Sequence, residues 1–396
     1  MKSLLFVYHA MNVGGSTTSL LSLLFGLDKS KYDIDLRLFN NKGEYLDSIP
    51  ENIKLLPPCY KYQDEAERKK RMLLSPKFMA YKIASIIKGR LWHSIKQGQQ
   101  WLEYKDVDFF LETEKEYDLA IAFLEGGPCK YVAKHTKAKR KIAWIHIDYK
   151  ESSFRPEFDI DSLSCFDTIV TVSQECKKSF CESFPTLADR CIVIENILSA
   201  SRLWSLSAAD CELNVDNTKL NLVSACRIAF NSKGLDRAVT ALARIKTEYP
   251  DLADSWHWYI IGDGNDQPLL LQMIKDNHLE NNISLLGKQI NPFPYLKQMS
   301  LFFLPSRWEG KPMAVTEGFI MGLPALVTEY ASAHEQVKSD FDGLVVQNST
   351  EGIYEGLLYV LNNPARLKQW QENVKISEYS NEDEIKRIEA IFDELL

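Results

Sequence analysis

The run from Leu301 to Thr328, LFFLPSRWEGKPMAVTEGFIMGLPALVT, combines carboxylates with a turn that suits ligand binding. An apolar stretch ends at Pro305, and a helical pattern begins at Pro312, where the missing N–H of proline costs nothing. The amides of residues 310–313 therefore point out of a helix N-terminus at the carboxyl end of a strand. Open α/β sheets hold phosphates and sugar hydroxyls at such places.

Two carboxylates accompany this turn. Glu309 comes just before the helix, and Glu317 lies one to two turns inside it, on the same face as Met313. Such a Glu-x7-Glu spacing also occurs by chance on solvated helix faces. Followed by Gly322-Leu323-Pro324, however, the run resembles the retaining glycosyltransferases of family 4, and the resemblance covers most of residues 140–346 and, more loosely, the first 25.

The resemblance implies a nucleotide-sugar donor. In this interpretation Glu317 accepts hydrogen bonds from the ribose hydroxyls, and Glu309 lies close to the transferred sugar. The Lys311 side chain either touches the sugar or a phosphate or points to solvent. The predicted donor-binding residues are Gly14, Gly15, Gly262, Gly310, Lys311, Pro312, Met313 and Glu317.

Two cations are candidates for stabilising the leaving group. Arg227 ends a predicted strand in SACRIAFNSKGLDRAV, and Lys233-Gly234 begins the next helix, as in family 4. Fixed cations at a helix N-terminus would stabilise the charge that grows on a departing diphosphate. Taken alone, they could equally be surface residues that flank an ordinary loop. The predicted catalytic residues are Arg227, Lys233, Glu309 and His146.

His146 and Gly14-Gly15 are the candidates in the first half. His146 ends WIHID, where a histidine on an apolar strand is usually a core residue, but the resemblance implies contact with the donor sugar or the acceptor. Gly14-Gly15 follow the first strand, where glycines let the backbone approach a phosphate or sugar. A plain turn with Ser16 as N-cap is the alternative.

Strands and helices alternate in two series. Strands are predicted at 3–8, 33–39, 117–124, 141–147, 168–172 and 191–194, with helices at 17–27 and 174–184. The second series has strands at 220–226, 257–261, 283–286, 301–304, 325–327 and 344–346. Its helices are predicted at 234–247, 267–278, 293–299, 313–321 and 351–361. Such alternation predicts parallel sheets with right-handed crossovers.

The expected fold is therefore α/β, with two doubly wound, Rossmann-like domains that face a central cleft, the GT-B architecture. The predicted domains are 1–198 and 219–379, with an aperiodic linker at 199–218. The resemblance implies that the C-terminal helix, within 380–396, crosses back onto the first domain.

Composition and motifs restrict the other kinds of protein and of binding site that the sequence could encode. The 396 residues contain 45% hydrophobic and 26% charged residues, as in globular proteins of two domains. Eight cysteines without C-x-x-C pairs suggest reduced thiols. Asp-x-Asp pairs, which hold metals in other glycosyltransferases, occur at 33/35, 106/108, 159/161 and 340/342, but none ends a clean strand, so we expect no metal. Gly262-x-Gly264 lacks the third glycine of a dinucleotide fingerprint and is interpreted as a nucleotide-base loop.

One segment is strongly basic. Residues 68–102 contain nine Lys or Arg and no Asp or Glu, interleaved with apolar residues at helical spacing. A basic amphipathic helix of this kind can lie in an anionic membrane interface. The alternative is a helix that packs its apolar face on the first domain. Nucleic-acid binding is not expected, since the net charge is −7 and no binding module is recognisable.

The sequence therefore predicts a retaining, metal-independent hexosyltransferase that uses a nucleoside-diphosphate sugar, UDP- or GDP-linked, as co-substrate. It would act in the cytoplasm, in part at the inner face of the membrane, on a glycan or lipid-linked acceptor in surface polysaccharide or glycolipid synthesis. The alternatives are a non-catalytic partner subunit of the same fold and a nucleotide-sugar epimerase or phosphorylase.

Overall fold

The computed structural model describes residues 1–62, 64–105, 109–152, 154–381 and 383–396, with the backbone alone at Lys96, Glu103, Tyr104 and Ile376. The chain divides into two compact units, Met1–Ile197 with Glu382–Leu396, and Leu198–Asn381. Each unit is built on one parallel sheet, as the alternation of strands and helices predicts.

The first unit has seven parallel strands in the order β3-β2-β1-β4-β5-β6-β7. Successive residues of β1 point to opposite faces, so Leu4 and Phe6 enter one core and Leu5 and Val7 the other. The strands are β1 (Lys2–Tyr8), β2 (Tyr32–Leu38), β3 (Lys54–Leu55), β4 (Tyr117–Ala122), β5 (Ala138–Ile145), β6 (Thr168–Thr171) and β7 (Cys191–Val193). The prediction missed β3, which is only two residues long.

Helices cover both faces of this sheet. Those of the first unit are α1 (Gly15–Gly26), α2 (Glu65–Leu74), α3 (Pro76–Leu91), α4 (Ile95–Tyr104), α5 (Gly127–His135), α6 (Ile160–Leu163), α7 (Gln174–Ser183) and, numbered in chain order, α17 (Glu384–Leu395). The last of these returns to the first unit, where Ile388 and Phe392 are fully buried in its core. The Phe392 ring meets Tyr32 edge-on at 6.0 Å.

The second unit has six parallel strands in the order β10-β9-β8-β11-β12-β13. They are β8 (Leu220–Ala225), β9 (Trp256–Ile261), β10 (Ile283–Gly287), β11 (Leu301–Leu304), β12 (Ala325–Thr328) and β13 (Gly343–Val346). Its helices are α8 (Ala200–Leu206), α9 (Phe230–Lys233), α10 (Leu235–Glu248), α11 (Gln267–Asp276), α12 (Phe293–Leu296), α13 (Met313–Ile320), α14 (Ala333–Gln336), α15 (Thr350–Asn362) and α16 (Pro364–Ile376).

The predicted linker, 199–218, contains the helix α8, so the expectation of an aperiodic segment is wrong for its first part. Ser199 caps this helix by accepting a hydrogen bond from the amide of Arg202, and Leu203 is buried in the core of the second unit. The cap and the buried leucine both stabilise this helix. With only two turns, it is too short to show a periodic pattern in the sequence.

The basic segment forms the three helices α2, α3 and α4 rather than one. Phe78, Ser85 and Gly89 of α3 are buried, and Gly98 of α4 packs so closely that a Cβ there would lie 2.4 Å from the Ser85 carbonyl oxygen. The opposite side of α3 exposes an apolar stripe at helical spacing, Ile83, Ile86, Ile87 and Leu91, each more than half exposed. The alternative in which the whole apolar face packs on the domain is therefore wrong for this stripe. None of the described helices is both long and apolar enough to span a bilayer.

Candidate active site

The loop between β11 and α13 forms the centre of the candidate site. β11 ends at Leu304, as predicted, and α13 begins at Met313. Pro312 is the residue before the helix and not its first member, a shift of one position from the prediction. Amides in the first turn of a helix have no acceptor within it, so those of α13 are directed out at the carboxyl end of β11.

Lys233 and Glu309 form an ion pair in the second unit. The Lys233 Nζ lies 2.5 Å from Glu309 Oε1, and the Ser306 hydroxyl donates to the same oxygen at 2.5 Å. The side chains of Lys233 and Glu309 are 19% and 11% exposed. The two predicted residues are thus brought together, but the cation faces a carboxylate, and Ser306 is a further site residue that the sequence did not indicate.

A close backbone approach fixes Lys233 in place. Gly234, which follows it, has a φ of +63°, and a Cβ there would lie 2.2 Å from the carbonyl oxygen of Pro305. Arg237 donates to that same carbonyl at 3.0 Å. Glycine at this position therefore allows the α9–α10 turn to touch the loop that carries Glu309.

A second set of hydrogen bonds ties this loop to α10. Arg307 makes a bidentate contact with Asp236, with both N–O distances 2.7 Å, and its amide donates to the Ser232 carbonyl at 2.7 Å. Asn348 donates to the Arg307 carbonyl at 2.8 Å. The sequence analysis missed these residues; the Arg, Asp and Asn side chains in strand-to-helix loops were the signal available.

Arg227 is exposed, and no described residue forms an ion pair or hydrogen bond with its side chain. It nevertheless lies in the same charged neighbourhood. Burial raises the pKa of the Cys226 thiol to about 11, while Lys233 and Arg227 lower it and Glu309 raises it. Three of the predicted catalytic residues therefore act electrostatically on one partly buried thiol, which directly follows β8.

Glu317 is a buried carboxylate within α13. It is 8% exposed, and burial raises its pKa to about 7. No described residue donates a hydrogen bond to it. The helix itself is held by Gln336, whose amide donates to the Pro312 carbonyl at 2.8 Å and to the Thr316 hydroxyl at 2.9 Å. A rigid helix thus presents an acceptor that lacks donors.

Gly262 and Gly264 allow two loops of the second unit to pack together. Gly262 has a φ of +140°, and a Cβ there would lie 1.9 Å from the Cys226 carbonyl oxygen. A Cβ on Gly264 would lie 2.1 Å from the carbonyl oxygen of Ile228. Close packing of the β8 and β9 loops therefore accounts for both glycines. Gly310, Lys311 and Pro312 are partly exposed in the loop before α13, and Met313 is buried.

In the first unit, Gly14 precedes α1 with extended backbone, and a Cβ there would meet nothing within 4 Å. Gly15 is the first residue of that helix. The alternative with Ser16 as N-cap is wrong, because Gly14 holds the cap position and the Ser16 hydroxyl lies 2.7 Å from that of Tyr8.

His146 directly follows β5 in the first unit. Burial lowers its pKa to about 4, with Asn196 acting in the opposite direction. Its amide donates to Glu125 at 3.0 Å, and burial raises the pKa of that carboxyl. The imidazole is therefore neutral at physiological pH, so that one ring nitrogen donates a hydrogen bond and the other accepts one.

The Asp-x-Asp pairs do not form a metal site among the described residues. Within the described ranges, no three His, Cys, Asp or Glu side chains gather in a group that could hold a metal. The pair 106/108 lies outside the described residues. A member of each remaining pair has a protein partner: Asp35 with Lys115, Asp159 with Lys130, Asp340 with Arg366 and Asp342 with Tyr379.

Curated relatives match parts of the chain. An uncharacterised glycosyltransferase of Methanocaldococcus jannaschii is 27% identical over 210 residues, 52% of this chain and 50% of that protein. The UDP-Gal:alpha-D-GlcNAc-diphosphoundecaprenol alpha-1,3-galactosyltransferase of Escherichia coli is 30% identical over 138 residues, 34% of this chain and 35% of that protein. The chain thus spans half or less of the length of these two relatives.

Solved structures match the whole chain. HepE from Anabaena, in complex with UDP and glucose, has a TM-score of 0.70 at 14% identity, with all of both chains covered. TarM from S. aureus has a TM-score of 0.67 at 13% identity and covers 99% of this chain and 100% of its own. The predicted α/β fold with two Rossmann-like domains of GT-B type is confirmed. Residues 211–377, which contain the Lys233–Glu309 pair and Glu317, match the family described as "Glycosyl transferases group 1".

Proposed function

We propose that this protein is a retaining glycosyltransferase of family 4, which moves a sugar from a nucleoside-diphosphate donor to a glycan or lipid-linked acceptor. The observation that carries the proposal is the Lys233–Glu309 ion pair beside the N-terminus of α13, with the unpartnered carboxylate of Glu317 inside that helix. The match of residues 211–377 to group 1 glycosyl transferases supports it.

The donor nucleotide is assigned to the α13 end of the second unit. Glu317 is buried without a donor, and two ribose hydroxyls supply the hydrogen bonds that an ionised carboxylate lacks. The helix N-terminus attracts the diphosphate through its amides and its dipole. A UDP-linked donor is favoured over a GDP-linked one, since HepE, of the same fold, was solved with UDP-glucose.

The reaction needs charge stabilisation more than a nucleophile. The bond between the anomeric carbon and the diphosphate oxygen breaks, and the acceptor oxygen attacks the same face. The acceptor hydroxyl proton passes to the leaving phosphate, so a general base on the protein is not required. Arg227, whose cation has no described partner, and Lys233 stabilise the growing negative charge without a metal.

Glu309 and His146 act on the sugar in this proposal. Glu309 holds Lys233 before the donor arrives, and its second carboxylate oxygen accepts a hydrogen bond from a sugar hydroxyl. Lys311 and the amides of Gly310 and Met313 orient the same sugar. By the resemblance to family 4, the neutral imidazole of His146 contacts the donor sugar or the acceptor.

The acceptor is assigned to the class of lipid-linked glycans. The E. coli galactosyltransferase above is named for such an acceptor, and the alpha-monoglucosyldiacylglycerol synthase of Acholeplasma laidlawii, 25% identical over 189 residues, is named for a glycolipid product. The apolar stripe of α3 is flanked by Lys77, Lys82, Lys88 and Arg90. Apolar side chains beside lysines suit an anionic membrane interface, so we place the protein in the cytoplasm at the inner face of the membrane.

The test is hydrolysis of a panel of UDP- and GDP-sugars by the purified chain, with and without EDTA. Slow release of one nucleoside diphosphate, lost in Glu309→Gln and in Arg227→Ala but not in the surface control Lys368→Ala, is the expected result. EDTA leaves the rate unchanged. Failure of every donor to turn over, with no thermal shift from UDP or GDP, would instead favour the non-catalytic partner subunit.

A further inference from the structure

A cavity of about 500 Å³ lies in the second unit at the opposite end of α13 from the candidate active site. Its walls include the run from Phe319 to Leu323, which ends α13, and residues of α8 and α16. Lys233, Glu309 and Glu317 do not line it. The volume falls within the range of roughly 300–1,000 Å³ that is typical of small-molecule sites.

One wall of this cavity is the half-exposed ring of Trp204 on α8, which is 51% exposed. Within the described part of the chain, no aromatic ring or cation packs against it. A half-exposed tryptophan in a concave site presents one face of its indole ring to solvent. An apolar surface of a ligand can pack against that face. On the floor, Met299 and Ile320 are buried and apolar.

The rim of the cavity is polar but close to neutral. Lys375 and Glu378 carry opposite charges, and no described residue pairs with either. The Lys297 ammonium donates a hydrogen bond to the Ser207 carbonyl. The amide nitrogen of Gln371 donates to the Ser300 carbonyl at 2.9 Å, which leaves its oxygen as an acceptor. The cavity thus offers donors and acceptors with a small net charge, since Lys297 and Lys375 face the single carboxylate of Glu378.

These features select among ligand classes. A diphosphate requires several free cations or a helix N-terminus, and the cavity lies at the C-terminal end of α13, where the helix dipole disfavours anions. A fatty chain requires an apolar rim. A pyranose ring has an apolar face that covers an indole and hydroxyls around its edge that suit Lys375, Glu378 and Gln371.

We propose that this cavity binds a segment of a neutral oligosaccharide, with one ring against Trp204. The inference goes beyond glycosyl transfer and does not depend on it, because the cavity is separate from Glu309 and Glu317. A chain held here would be retained by the protein independently of the donor nucleotide.

The test is titration of the full chain with maltotriose and with triacetylchitotriose, followed by tryptophan fluorescence and ligand-observed NMR. We expect at least one trisaccharide to bind with saturation in the millimolar range, and Trp204→Ala to weaken binding about 10-fold or more. Lys375→Ala weakens it as well. Because Trp204 is half exposed, these variants are expected to keep the melting temperature of the natural chain.

Two matched controls use the same helices. Leu206→Ala on α8 and Lys368→Ala on α16 change residues outside the cavity and are expected to leave the affinity within about twofold. Glu317→Gln is also expected to leave trisaccharide binding unchanged, although it weakens UDP binding, which separates the two proposals. Absence of saturable binding by both sugars, equal affinity in Trp204→Ala, or loss of UDP binding in that variant would each overturn the proposal.

Discussion

Lys233 and Glu309 are joined by a 2.5 Å ion pair, although they lie 76 positions apart in the sequence. Ser306 donates to the same carboxylate oxygen, and both charged side chains are largely buried. Burial makes each charge costly without the other. In the proposed reaction, a donor diphosphate would compete with Glu309 for Lys233, and the pair would couple donor binding to the position of the carboxylate.

The first prediction concerns this coupling. Lys233→Met and Glu309→Gln each leave one partner without its counterpart, so we expect each to lower the free energy of unfolding by about 1–3 kcal/mol. The double variant is expected to cost less than the sum, with a coupling energy of about 1 kcal/mol or more. Urea unfolding of all four proteins measures it. Additive costs would show that the pair contributes no interaction energy.

The same variants separate stability from chemistry. Because Lys233 is proposed to stabilise the leaving diphosphate, Lys233→Met is expected to lower the rate of donor hydrolysis about 100-fold or more. Restored stability in the double variant is not expected to restore this rate. A double variant that regains most of the activity would contradict the role of Lys233 in catalysis.

The second prediction follows from Glu317. Its pKa is about 7 in the folded state and 4.5 as its ordinary value, so between these pH values the folded state holds more protons than the unfolded one. The free energy of unfolding therefore falls as pH rises through this window. Glu317→Gln removes the penalty and is expected to stabilise the protein by about 1–3 kcal/mol at pH 8. Melting temperatures between pH 5 and pH 8 measure this difference.

The affinity for UDP should change with pH in the opposite direction to the free energy of unfolding. In the proposed site the ribose hydroxyls donate to the ionised form of Glu317, so UDP affinity is expected to rise with pH up to about 7 in the natural chain. The terminal phosphate of UDP also changes its protonation over this pH range. The same titration is therefore made with Glu317→Gln, in which the pH dependence of the affinity comes from the nucleotide alone. Identical pH profiles for the two proteins would exclude Glu317 from the UDP site.

The sheets were predictable because their pattern is local. The strands of the second unit were found within one or two residues of their ends, since they are short, largely apolar runs that alternate with helical patterns. The two-residue strand β3 and the two-turn helix α8 were not, because elements of that length have no period to detect. The break between α2 and α3 has a local signal that the prediction missed, since Ser75 caps α3 and Pro76 begins it. The close packing of α3 on α4 at Gly89 and Gly98 depends on tertiary contacts, which one sequence does not reveal.

The candidate site was predictable only in its residue types. The motif indicated Lys233 and Glu309 separately, but their ion pair depends on how closely the α9–α10 turn approaches the β11 loop. Arg307 and Asn348 were missed because their partners are 71 and 41 positions away in the sequence. Ser306 was missed although Glu309, its partner, is only three positions away. Arg227 was correctly placed at a strand end, since it follows β8. The prediction that Lys233 begins a helix is wrong, because Lys233 is the last residue of the one-turn helix α9, and Gly234 caps the start of α10.

A third prediction tests the close approach at Gly234. Gly234→Ala places a methyl group against the Pro305 carbonyl in a backbone with positive φ, and we expect it to cost about 3 kcal/mol or more. Gly322→Ala is the matched control, because its φ is +85° but nothing lies within 4 Å of the added carbon. It should cost only about 1–2 kcal/mol, the strain of the left-handed backbone. Equal losses in thermal or urea unfolding would show that the contact with Pro305 is unimportant.

The last prediction concerns the apolar stripe of α3. Ile83, Ile86 and Ile87 are each more than half exposed, so their change to serine removes little core packing but much of the surface that could enter a membrane interface. We expect the triple variant to bind vesicles that contain phosphatidylglycerol about 10-fold less than the natural chain, and added salt to weaken both. Co-sedimentation measures the bound fraction.

The control for this experiment changes exposed leucines elsewhere. Leu269 and Leu271 on α11 are 58% and 49% exposed, and their change to serine alters surface hydrophobicity to a similar degree in the second unit. It is expected to leave vesicle binding unchanged, since no cluster of lysines accompanies them on that helix. Neutral phosphatidylcholine vesicles should bind the natural chain weakly, because the lysines beside the stripe then have no anionic partner. Equal binding by the triple variant and the natural chain would remove α3 from the membrane contact and favour an acceptor that reaches the protein from solution.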